Sequence, residues 1–176
     1  MNERPDRERL TEGCLRAFVK AGTLDLSLDQ LAIAVGISKR MLVHYFGGRE
    51  NIEERAMVRL EETLRAQFSP ESFPPGASAK KVVKALWART TAAESRGALL
   101  LVMDVAKRAW SGSTRAKAFY EEQQRLWEAL LLKYIPDRRT VEEFLQLFQG
   151  AVFAYLISGD ADAGKRALLR FVSRMK

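Results

Sequence analysis

The chain has 176 residues, 47% hydrophobic and 29% charged, which fits one compact domain, or a small domain sharing a core with a larger one, and excludes disorder. A single cysteine, Cys14, and a single histidine, His44, exclude a disulfide framework, a Cys-cluster zinc site and a His-pair metal motif, so no metal or other cofactor is expected. The net charge of +7 suggests a polyanionic partner, but residues 1–55 carry nine Lys/Arg against nine Asp/Glu, and the surplus lies beyond them. The N-terminus has no signal-peptide pattern, and apolar runs such as Ala98 to Met103 are too short to span a bilayer. A soluble, cytoplasmic protein without a membrane partner is expected.

Helical periodicity runs through almost the whole chain, and the sequence predicts an all-α protein of about nine helices. Pro5 opens the first helix, Leu10, Cys14 and Phe18 give it an apolar stripe, and Ala21-Gly22 stops it. Ser27 and Gln30 form a capping box for a second helix ending at Val35-Gly36. Ser38 caps a third, which Gly47-Gly48 breaks after Phe46. A fourth runs from about Arg49 to Phe68, and Ser69-Pro70 with Pro74-Pro75-Gly76 makes the one clear linker. Further helices are predicted over about 78–95, 97–110, 114–134, 138–158 and 161–175.

The segment 27–46 carries the chemistry. Gly36 can take the positive φ of a tight turn, and Ala32, four residues earlier, is small enough for a second helix to cross closely. Leu31, Val35, Ile37, Leu42 and Phe46 supply the apolar contacts, which leaves Lys39, Arg40, Met41, His44 and Tyr45 on the outer side of the third helix. Arg40 and His44 are i, i+4 neighbours and can face a groove together. The Ser38-capped end presents free N–H groups to phosphate. From Val35 to Arg49 there are three cations, Lys39, Arg40 and Arg49, and no acid.

The run from Gly22 to Ile52 resembles the DNA-binding head of the TetR (tetracycline-repressor-like) family. Phe18 and Gly22 match the Phe and Gly before the family's motif, and Leu31, Ala32, Gly36, Ile37 and Ser38 match its Ile-Ala-x-x-x-Gly-hydrophobic-Ser. Tyr45, Phe46, Arg49 and Glu50 match its aromatic ending and following Lys-Glu. The resemblance covers about residues 10–55, under a third of the chain. It implies that residues 1–48 form a helix-turn-helix DNA-binding domain and 49–176 a helical domain for effector binding and dimerisation, with helix four as the link. The implied DNA-binding set is Ser27, Ser38, Lys39, Arg40, Met41, His44, Tyr45 and Arg49, the last in place of a phosphate-binding Lys. Val43 stands where the family usually has a phosphate-contacting Tyr. Arg40 stands where many members have a small residue, and is expected to read a base, plausibly guanine.

The resemblance also implies a homodimer on double-stranded DNA, released by a small-molecule effector. Gly150, Ala154 and Ser158 form a small-residue stripe at i, i+4, i+8, and Phe144, Leu147, Ala151 and Tyr155 widen it. Leu168, Phe171, Val172 and Met175 repeat at i, i+3, i+4, i+7 on the last helix. Both sets are candidate dimer contacts or ordinary core. Trp87, Trp110 and Trp127 fall where the family encloses its effector, and with Leu100, Met103, Phe119 and Phe148 they suit a flat or greasy ligand or simply fill a core. Asp104 either pairs with Lys107 or Arg108 at the surface or, if buried, marks a cationic ligand.

No phosphate-cradling glycine loop, nucleophile elbow or metal cluster occurs, and an enzyme is not expected. The rival reading is a helical protein-interaction or membrane-surface module using the basic C-terminal two-thirds, without sequence-specific DNA reading.

Overall fold

The computed structural model describes residues 6–66, 68–72 and 76–175. Among them are nine α-helices: α1 Arg7–Ala21, α2 Leu28–Val35, α3 Lys39–Phe46, α4 Arg49–Ala66, α5 Ala79–Thr90, α6 Arg96–Trp110, α7 Thr114–Leu131, α8 Arg138–Ser158 and α9 Ala161–Val172. The protein is all-α, as its periodicity predicts. None of these helices is long and apolar enough to cross a membrane. Pro5, expected in the first turn of α1, and Pro74-Pro75 of the linker lie outside the described residues.

Local chemistry sets the helix ends. Asp6, Ser27, Ser38, Ser78, Asp137 and Asp160 each accept a backbone N–H from the first turn of the helix they precede. Gly22, Gly36, Gly47 and Gly159 terminate helices in the left-handed region, where a side chain would be strained. Three helices stop three or more residues earlier than their periodicity suggests, among them the last, expected to reach 175 and ending at Val172. The one expected over 78–95 ends at Thr90, where the Thr91 hydroxyl donates back to the Trp87 carbonyl (2.9 Å) and two successive β-branched residues favour the helix less than unbranched ones. A separate 3-10 turn, Ala93–Ser95, follows. The one expected to reach 134 ends at Leu131, where bonds from Lys133 to Leu130 and from Tyr134 to Leu131 tighten the chain ahead of Pro136.

Two compact units result. The first comprises Met1–Leu64 with Gly97–Lys117, the second Arg65–Arg96 with Ala118–Lys176. In the first, α1 packs on α2 and α2 on α3, around the fully buried Cys14, Phe18, Leu31 and Leu42. Burial pushes the Cys14 thiol up to about 11, so it stays protonated and unreactive at neutral pH. Helix α6 belongs to this unit: a Cβ at Gly97 would stand 2.1 Å from the Val19 carbonyl oxygen, so α6 starts hard against α1.

In the second unit α9 packs on both α8 and α5. Trp87 of α5 is the centrepiece. Its indole N–H donates to the Ala161 carbonyl (2.8 Å), and its ring meets Phe148 and Tyr155 edge-on at 5.9 and 6.1 Å. Gly164 of α9 makes room for it, because a Cβ there would lie 2.3 Å from the indole. Gly164→Ala should therefore lower stability by about 1–3 kcal/mol through overpacking, despite Ala's better helix propensity. Urea unfolding measures this, and an unchanged midpoint would contradict the packing described.

Candidate nucleic-acid interface

An eight-residue helix has little stability of its own, so α3 must be held in place by its neighbours. Leu42 and Phe46 anchor it in the core. At its N-terminus the Ser38 hydroxyl accepts from Met41 N–H (3.2 Å), and Lys39 pairs with Asp29 of α2 (2.9 Å). At its C-terminus three carbonyls find three donors. Gly47 N–H donates to Val43 (2.7 Å), the Arg7 guanidinium to Tyr45 (2.6 Å), and the Asn51 amide to Phe46 (2.9 Å). Arg7 also lies over the Phe46 ring, 5.9 Å from its centre. The turn before α3 is closed by Ile37 N–H to the Ala32 carbonyl (3.1 Å), with Gly36 at φ 71°.

The exposed face that results carries Lys39, Arg40, Met41, Val43 and His44, with no acid on α3 itself. Tyr45 is half-buried and meets His44 edge-on at 5.8 Å. Sequence reasoning set Val43 aside as a departure. The structure places it, 36% exposed, one turn from Arg40, as an apolar surface of the kind that meets a thymine methyl. Ile33 of α2, 80% exposed, also escaped notice, because its helix period alone does not tell which side the neighbours cover. Ser27 and Ser38 both serve as caps. Ser27 accepts from Gln30 N–H (3.2 Å) while the Gln30 side chain accepts from Ser27 N–H (2.8 Å).

Arg49 is drawn inward. Its Nε donates to Glu53 (2.7 Å), and one Nη donates to the Leu24 carbonyl and to Asp25 (both 3.1 Å). Arg108 of α6 grips the same Glu53 (2.6 Å) and the same Asp25 (3.1 Å). Asp104, one turn before Arg108 and 3.7 Å from its guanidinium, accepts from Leu24 N–H (3.0 Å) and the Thr23 hydroxyl (3.3 Å). Asp104 is thus spent on the loop between α1 and α2. The i, i+4 pairing was legible, whereas Thr23, Leu24, Asp25 and Glu53 lie too far away in sequence to signal it.

The remaining expected sites divide. Leu100, Met103, Asp104 and Trp110 lie on α6 in the first unit, and Trp87, Phe119, Trp127 and Phe148 in the second. Leu100 covers Gly22, Trp87 fills a core, and Trp127 packs 6.2 Å from Phe68, while Trp110 is 76% exposed. Among the expected dimer contacts, Phe144, Leu168 and Val172 are buried within the single chain. Leu147, Ala151, Tyr155, Phe171 and Met175 are half-buried, and Tyr155 donates to the Thr91 carbonyl (3.1 Å). Gly150, Ala154 and Ser158 are exposed, joined on α8 by Phe153 and Ile157, which the small-residue stripe did not include.

These features define an all-α protein with a helix-turn-helix head. No protein-family model matches the sequence. Over 65 residues the chain is 26% identical to the HTH-type transcriptional regulator SrpR of Pseudomonas putida, a match that covers 37% of this chain and 30% of that relative. The chain thus spans under a third of that curated relative's length. A TetR-family transcriptional regulator from Streptomyces coelicolor superposes with a TM-score of 0.77 at 18% identity, covering 94% of this chain and 78% of the other. The multidrug binding protein EbrR, in complex with imidazole, superposes with a TM-score of 0.73 at 16% identity, covering 96% of each chain. The chain has the fold of TetR-family transcriptional regulators.

Because Arg49 holds Glu53, Asp25 and the Leu24 carbonyl, Arg49→Ala should lower stability by about 1–2 kcal/mol, discounted for partial exposure. Its effect on the slope of log affinity against log salt for duplex DNA should be nil, whereas loss of a phosphate contact would reduce that slope by about one. Salt titrations of both proteins measure the difference.

Proposed function

We propose that this protein is a DNA-binding transcriptional regulator that reads a pseudo-palindromic site as a homodimer, α3 entering the major groove. The observation that carries this reading is the exposed face of α3. A cation, a second cation, two apolar side chains and an imidazole lie there with no acid on the helix itself, which is short and tied down at both ends. The rigid pose matters as much as the residue types, since base edges are read by hydrogen bonds that tolerate little misplacement. Arg40 is assigned to a guanine edge, Met41 and Val43 to apolar contact with thymine methyls. Lys39, His44 and the half-buried Tyr45 are assigned to the flanking backbone, and the capped start of α3 to a phosphate.

Two heads are needed for a palindrome, about one helical turn (~34 Å) apart. Support for a dimer comes from α8, where Gly150, Phe153, Ala154 and Ile157 line one exposed face at i, i+3, i+4, i+7, with Phe153 59% and Ile157 72% exposed. Large side chains left in water beside small ones make a surface on which a second copy's helix can lie closely. A small-molecule effector and a repressor's response to it complete the reading. Their support is the likeness in fold to EbrR, which is described as a multidrug binding protein.

Arg40→Ala should reduce the preference for the best duplex over a scrambled one about tenfold or more, with little change in binding to the scrambled duplex. An unchanged preference would remove Arg40 from base reading. The pair Phe153→Glu and Ile157→Glu should yield a folded monomer by sedimentation at micromolar concentration, with weakened binding to a two-half-site duplex. A dimer that persists would move the interface elsewhere.

A further inference from the structure

We infer that Arg115 is a positioning residue for DNA reading, acting on α3 through the side-chain amide of Asn51. The inference rests on the reading of α3 as the DNA-contacting helix. Arg115 stands in the first turn of α7, within the first unit. Its guanidinium reaches three acceptors on the first turns of α4: Glu50 Oε2 (3.2 Å), Asn51 Oδ1 (2.9 Å) and Glu54. Asn51 in turn donates its Nδ2 to the Phe46 carbonyl (2.9 Å), the last of α3.

A carboxamide has one accepting end and one donating end, and its two neighbours here make opposite demands. Arg115 can only donate, and the Phe46 carbonyl can only accept. With Oδ1 towards Arg115 and Nδ2 towards Phe46, both contacts are attractive. Turned over, the amide would set N–H against a guanidinium and oxygen against a carbonyl, and both would repel. Arg115 therefore selects the amide orientation that caps α3. Glu50 and Glu54 hold the guanidinium from either side, so it keeps its aim although 43% of its side chain is exposed.

The end of α3 held in this way is the end that carries His44 and Tyr45. Gly47 in the left-handed region follows at once, a Cβ there lying 3.4 Å from Asn51 Nδ2, so the amide also seats against the turn that ends the helix. Without the cap, the last turn of α3 keeps the Arg7 and Gly47 bonds but loses the one to Phe46. The outer face of α3 then samples more than one pose. That loosening costs base discrimination more than it costs phosphate attraction, because only the former depends on close geometry.

The test uses the full chain, a duplex selected by the wild-type protein from a random library, and the same duplex scrambled. Arg115→Ala should lower the preference between them about tenfold, and Asn51→Ala by a similar factor. The two combined should lower it no further than either alone. Arg115→Lys should restore part of the preference. Asn51→Asp keeps an acceptor for Arg115 while removing the donor to Phe46, and should lose the preference in full with the α4–α7 ion cluster intact. If Arg115 and Asn51 contribute independently, so that their effects multiply, the relay is wrong. If Arg115→Ala weakens both duplexes equally, Arg115 meets phosphate directly and the relay is again wrong. If the variants only lower the melting temperature, the role is structural alone. A wild-type protein with no preferred duplex would instead overturn the DNA-reading assignment of α3, a failure separable from those of the relay.

Discussion

The first unit depends on Glu53. Its side chain, 12% exposed, is clasped by Arg49 from one turn earlier on α4 and by Arg108 from α6. A carboxylate so placed and left unpaired would cost several kcal/mol, roughly, so both guanidiniums are required where they are. The same two guanidiniums converge on Asp25, and Arg49 also holds the Leu24 carbonyl. Two carboxylates and two guanidiniums thereby tie α4, α6 and the loop between α1 and α2 into a platform. The eight residues of α3 take their pose from that platform and from the bonds that satisfy their ends.

This arrangement separates two uses of positive charge. Arg7, Arg49, Arg108 and Arg115 face carboxylates or carbonyls inside the unit, and their charge is spent on geometry. Arg40 is left on the outer face of α3, and Lys39 with it in a pair with Asp29, both partners more than half exposed. A surface pair of this kind is worth at most about 1 kcal/mol, so transferring Lys39 to a phosphate costs little. The overall charge of +7 says little about the outer face of α3, because that face has few cations and the surplus lies beyond residue 55.

What could be read from the sequence was the short-range chemistry. The Ser27–Gln30 capping box, the Ser38 cap and the glycines at positions 22, 36, 47 and 159 each act within a few residues, and the structure shows them at work. The outward side of α3 was legible for the same reason, since Leu42 and Phe46 fix its inward side. The network around Glu53 was not, because Arg108 lies fifty-five positions away and nothing in either neighbourhood names the other. The fit of Gly164 to Trp87 and the relay from Arg115 to Phe46 were hidden likewise. On α8 the small residues of the stripe, Gly150, Ala154 and Ser158, lie on the exposed side of the helix. Periodicity could not tell that Phe144 faces inward to Phe148 and Phe171 while Phe153 faces water.

On the proposed reading, base reading belongs to α3 in the first unit and pairing of copies to α8 in the second. The most direct test of both together is selection from a library of random duplexes by the purified protein at moderate salt with competitor DNA, read out by sequencing. Enrichment of one inverted repeat, with half-site centres about one turn apart, is the predicted result, since it requires a base-reading helix and two copies at once. Uniform recovery of all duplexes, lost evenly as salt rises, would contradict the account. It would leave the basic surface as a general polyanion or partner-binding face.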